Sequence, residues 1–71
     1  MYILSRTDKK GIKVYSFDLT QDNIIYETII LSNARIFYDL NKAREEARIL
    51  AGFFNQSIRI ESFSELEEVK P

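Results

Sequence analysis

Residues 40 to 54 read LNKAREEARILAGFF, and the fold follows from how that stretch is placed. Leu40, Ala43, Ala47, Leu50, Ala51 and Phe54 fall within a stripe about 100° wide at 3.6 residues per turn, which predicts an amphipathic helix over 40–54 with one face buried. Asp39 or Asn41 supplies the cap, since either side chain accepts hydrogen bonds from the open backbone amides of the first turn. Three alanines on the stripe let the helix axis come close to whatever it covers, and Leu50 and Phe54 bring the volume. Asn55-Gln56-Ser57 ends the helix.

Working outward, the flanking segments carry strand signals. Upstream, Arg35 to Tyr38 reads as a short strand, and Ser32-Asn33 turns the chain before it. Ile24-Ile25-Tyr26-Glu27-Thr28-Ile29-Ile30-Leu31 is the strongest strand signal in the chain, rich in β-branched residues. Leu19 to Asn23 is a polar connection. Tyr2 to Arg6 and Ile12 to Asp18 read as two strands of a hairpin, joined by Thr7-Asp8-Lys9-Lys10-Gly11, whose glycine can take a positive φ. Downstream, Ile58-Arg59-Ile60-Glu61 alternates apolar with charged residues, which predicts a final edge strand over 58–62. Ser64-Glu65-Leu66-Glu67 has the Ser-x-x-Glu form of a capping box, so a short helical turn is expected over 64–69. The fold class is therefore α+β: a small, mostly antiparallel sheet of four to five strands with one amphipathic helix on one face.

Seventy-one residues make one domain near the lower limit of size, 1–71. Such a chain buries only about 60% of the surface it exposes when unfolded, and many chains of this size add a disulfide, a metal or a second subunit. There is no Cys, so no disulfide, thiolate ligand or cysteine nucleophile exists, and there is no His, the side chain best suited to proton transfer near neutral pH. No glycine-rich phosphate loop or EF-hand loop is present. Asp18 and Asp22 are the only spacing that suggests a weak divalent site, and two aspartates four apart in a loop are common by chance. No catalytic residue, metal ligand, cofactor or small-molecule substrate is assigned, and the expectation is a non-catalytic protein. Met1-Tyr2-Ile3-Leu4 meets Arg6 too soon for a signal peptide or a membrane span, which predicts a cytoplasmic protein away from membranes.

The formal net charge is −1, unevenly placed: residues 61 to 71 hold four glutamates against Lys70, for −3, leaving +2 on the first sixty. Arg6, Lys9, Lys10 and Lys13 cluster around the first hairpin, and Arg44 and Arg48 lie one turn apart on the helix. Cations beside stackable rings are one way to hold nucleic acid. A solvated charged face is the plainer reading, because Asp8, Glu45 and Glu46 are interspersed and the isoelectric point is about 5.3.

The apolar residues carry the leading expectation. One helix covers one face of a sheet, yet Ile12 and Val14 alternate with Tyr15 and Phe17, and Ile25 and Ile29 with Ile24, Tyr26 and Ile30, so both faces carry apolar groups. With Tyr2 and Tyr38 on neighbouring strands, the helix-free side presents rings that are enriched at interfaces. Alternatively the sheet curls and these residues pack on the terminal segment around Phe63 and Leu66. Ile49 and Phe53 lie about 100° off the helix stripe, either widening the core or forming a knob for another chain. The candidate interface is thus Tyr2, Tyr15, Phe17, Tyr26, Tyr38, Ile49 and Phe53. It would serve a homodimer or another protein that the chain binds or inhibits.

The order of strands followed by Phe37-Tyr38-Asp39 and Ala43-x-x-x-Ala47-x-x-Leu50-Ala51 resembles, in pattern, small bacterial and phage accessory domains. It also resembles, at the level of pattern alone, the three-stranded arm-binding domains of phage integrases, which touch DNA through the sheet. No family is assigned from it; a regulator or a bacterial or phage accessory protein is what the interaction reading leads one to expect. This chain departs from that pattern in having few cations on its strands, and no functional residues carry over.

Overall fold

The computed structural model describes residues 1–62 and 66–71. Five strands, β1 (Ile3–Thr7), β2 (Lys13–Ser16), β3 (Glu27–Thr28), β4 (Ile58–Glu61) and β5 (Leu66–Val69), form one antiparallel sheet in the order β3-β2-β1-β4-β5. One helix, α1 (Leu40–Phe54), packs on one face. The α+β architecture expected from the sequence is the one observed.

Local chemistry sets the elements. Between β1 and β2, the Asp8 carboxylate accepts from the backbone N–H groups of Lys10 and Ile12, both at 2.9 Å, and Gly11 takes φ +80° to close the turn. Asp39 caps α1, its carboxylate accepting from the Asn41 N–H at 2.9 Å. At the other end Asn55 adopts the left-handed conformation, φ 49°, and the Gln56 N–H reaches the Ala51 carbonyl.

Register sorts the side chains. Leu4 lies opposite Ile60, Arg6 opposite Val14, Ser16 opposite Glu27, and Ile58 opposite Val69, so these residues share the helix face. Leu4, Ile58 and Ile60 are the largest fully buried side chains, packed with Phe37, Ala43, Ala47, Leu50 and Ala51. Each contributes about 1.5–3 kcal/mol of apolar burial.

Ile24–Leu31 departs most from expectation. Only Glu27 and Thr28 pair as a strand. Asp22 and Asn23 both take positive φ, a bridge joins Gln21 to Ile24, and residues 31–33 form a 3-10 turn, so the chain bends on both sides of the pair. High β propensity describes fitness for a pleated, half-buried surface, and this segment has one neighbour at the sheet margin.

The strand expected over 35–38 is reduced to a wedge. The β1–β2 ladder stops at Ser5 and Tyr15. Into the gap beyond, the Arg35 N–H donates to the Ser16 carbonyl at 2.8 Å, while Phe37 exchanges two backbone bonds with Tyr2, each 2.8 Å. Phe37 is buried in the core and Ile36 stays half-exposed.

The end of the chain also corrects the reading. Residues 66–69 are a strand, not a helical turn, while Ser64 and Glu65 of the capping motif lie outside the described residues. β4 is consequently interior and β5 forms the edge. Pairing with β4 over four residues and the packing of Val69 on the core favour the strand, and Arg44 on α1 adds a bidentate contact to Glu67, with Nε and Nη2 at 2.8 and 2.7 Å.

Candidate functional site

The helix-free face carries Ile3, Ser5, Thr7, Lys13, Tyr15, Arg59 and Glu61, placed there by the same register. An open groove of about 410 Å³ lies on it. Ile3 and Tyr15 contribute from the sheet, Met1 and Tyr2 from the N-terminus, and Leu31 and Ile36 from the segment that turns and wedges past β2. The wedge creates this groove: inserting Phe37 into the core leaves Ile36 beside it on the opposite surface.

One side of the groove is polar. Glu61 accepts from the Ser5 hydroxyl at 2.6 Å and from Lys13 Nζ at 2.9 Å. Arg59 donates from Nε to Ser5 Oγ at 3.3 Å and from Nη2 to Thr7 Oγ1 at 3.0 Å. Burial pushes the Glu61 carboxyl up. The Ser5 bond, Lys13 and Arg59 outweigh it and hold the group below the ordinary glutamate range. A carboxylate so stabilised is a weak base, and the Ser5 hydroxyl that donates to it is itself buried.

Among the seven residues expected at an interface, Tyr2 and Tyr15 meet in the groove. Phe17 is exposed just past β2, its N–H bonded to the carbonyl of the half-buried Tyr26 at 2.9 Å. Tyr38 stands in solvent before α1. Ile49 and Phe53 are exposed on the helix, Phe53 meeting Phe54 edge-on at 5.0 Å, so they do not widen the core. Leu66 is also exposed, and Phe63 lies outside the described residues. The apolar excess is therefore divided between the groove and separate patches.

The candidate nucleic-acid cations are divided too. Arg6 binds Glu27 through Nε and Nη2 at 2.7 and 2.8 Å and lies over the Phe54 ring. Lys13 pairs with Glu61, and Arg44 with Glu67. Lys9, Lys10 and Arg48 are exposed and have no ion pair among the described residues. Asp18 accepts from Arg35 Nη1 at 3.0 Å, and Asp22 sits in the adjacent bend. Among the described residues, no cluster of three or more acidic groups could hold a metal, and no helix is long and apolar enough to cross a membrane.

Sequence reasoning missed Ile3, Leu31 and Ile36 as groove residues, because their convergence depends on the wedge. It also missed Glu46, a helix carboxylate buried to 5% exposure. The strict apolar stripe hides it, since its partner Thr20 lies 26 residues away. No family model, curated protein or solved structure matches this chain.

Proposed function

We propose that the chain is a small non-catalytic protein-interaction module that binds through the helix-free face of its sheet. The supporting observation is the groove itself: an apolar trough of about 410 Å³ flanked by large exposed residues in a chain this small. Exposed contiguous apolar surface marks an interaction site more often than chance placement, and a concave site takes an apolar anchor well. Tyr2 and Tyr15 suit the lining of such a site, each offering an apolar ring and a polar hydroxyl.

The test is affinity capture with tagged wild-type chain and an Ile36→Glu variant, with and without nuclease. A protein, the untagged chain included, retained by wild type, lost by the variant and insensitive to nuclease supports the reading. If wild type retains nothing, or retains the same protein as the variant, the reading fails.

A further inference from the structure

We propose that β5 is a releasable occupant of a strand-binding edge, and that the outer edge of β4, flanked by Arg44 and Arg48 of α1 and by Arg59, takes an extended acidic segment of another protein in its place. This is a second site, at the sheet margin opposite β3.

β5 shows what the edge holds. Pairing runs from Ile58–Val69 to Glu61–Leu66, so successive side chains of β5 alternate between the two faces. Glu67 lies on the helix side, where Arg44 Nε and Nη2 donate to its carboxylate at 2.8 and 2.7 Å. Arg44 chiefly, with Arg48 one turn on, holds that carboxyl below the ordinary glutamate range. Glu68, on the helix-free side, is the cross-strand neighbour of Arg59, whose guanidinium donates to the Ser5 and Thr7 hydroxyls. Val69 follows on the helix side, packed against the core. Cations therefore flank the edge on both faces, and the segment seated between them reads acidic, acidic, apolar. Charge complementarity selects a partner with the same order of residues, added through the backbone ladder.

β5 is also the least anchored of the four longer strands. β1, β2 and β4 each bury two residues, and β5 buries none. The Arg44 and Glu67 side chains are 36% and 37% exposed, so water and salt screen their pair. A strand held by its ladder, one apolar side chain and one screened pair opens at a lower free energy than the core. Opening leaves the N–H and C=O groups along that edge of β4 unpaired beside Ile58 and Ile60, and an edge of that kind templates pairing with another chain.

Two measurements on the full chain test this. By hydrogen exchange, the β5 amides that bond to β4 are expected to open about a hundredfold more readily than those of β1, and high salt to raise the β5 rate alone. An NMR titration then adds a synthetic peptide of residues 66–71 to wild type, to Glu67→Arg and to Glu67→Arg with Arg44→Glu, each shown to be folded by circular dichroism. E67R sets two guanidinium groups against each other, so β5 is expected to leave. The peptide should then bind about tenfold more tightly than to wild type, whose own β5 competes at millimolar effective concentration, with shifts along β4 and around Arg44. Adding R44E restores the pair with reversed sign, which should reseat β5 and exclude the peptide. Glu67→Gln, which removes the charge without reversing it, is expected to change exchange and peptide binding in the same direction as E67R but by less. β5 amides that open no more readily than those of β1, a peptide that binds neither E67R nor E67Q more tightly than wild type, or binding unchanged by R44E would each overturn the proposal.

Discussion

Glu46 Oε1 accepts two hydrogen bonds from Thr20, one from its backbone N–H at 2.8 Å and one from its hydroxyl at 2.6 Å. The helix thereby holds the loop that leads to β3 and then to the groove wall. Glu46→Ala is expected to cost about 1.5–3 kcal/mol, since it strands a donor beside the core and removes a charge-assisted bond. Thr20→Val should cost about 1 kcal/mol, and the double variant less than the sum. Urea denaturation of the four chains measures this, and strict additivity would show that the two residues act independently.

Arg6 joins three elements: its guanidinium lies 3.6 Å from the centroid of the Phe54 ring, binds Glu27 twice and reaches Gln56 Oε1 at 3.3 Å. A lysine keeps the charge but loses the planar fork, so Arg6→Lys should destabilise by about 1–2 kcal/mol despite conserving charge. Equal denaturation midpoints for wild type and R6K would refute this.

Asn55 ends α1 at φ 49°, where a β-branched side chain meets its own carbonyl. Asn55→Gly should be neutral or stabilising, and Asn55→Val should lower stability by about 1–2 kcal/mol. The order of melting temperatures, N55G at or above wild type and N55V lowest, is the expected result.

Acid lability is expected from two glutamates held below their ordinary range. For Glu67 the main cause is the paired Arg44, opposed by some burial and aided by Arg48; for Glu61 burial is outweighed by Ser5, Lys13 and Arg59. A depressed folded pKa contributes stability that is present above the unfolded value, about 4.3, and lost as pH falls through the folded one. Unfolding free energy should therefore drop below about pH 4.3, and less steeply in Glu61→Gln. An identical acid limb in wild type and E61Q would contradict the assignment.

Salt dependence measures how many cations are available to a polyanion. With Arg6, Lys13 and Arg44 in ion pairs, any duplex binding by the hairpin and helix cluster should involve Lys9, Lys10 and Arg48 alone, giving a log–log salt slope no steeper than about −3. Fluorescence anisotropy with a labelled duplex reads the slope, and Lys9→Glu with Lys10→Glu should flatten it by about 2. A slope near −6 would mean that the ion pairs open to reach phosphate.

Local rules settled some features from sequence alone. The helix over 40–54, its Asp39 cap and the Asp8–Gly11 hairpin turn depend on groups within a few residues of one another, and there the sequence reading and the structure agree. The alternation in Ile58–Glu61 likewise required one buried face. Tertiary partners decided the rest. Glu67 became a strand residue because residues 66–69 pair with β4 and Val69 packs on the core, and Ile24–Leu31 lost most of its strand because the sheet gives it one neighbour and the chain bends at either side. The groove has no signature in the order of residues. It exists because Phe37 inserts between the diverging ends of β1 and β2, carrying Ile36 and Leu31 to a surface shared with Ile3 and Tyr15. Periodicity encodes which face of an element is apolar, whereas the meeting of faces from distant segments is fixed by long-range register and packing, which only the folded chain contains.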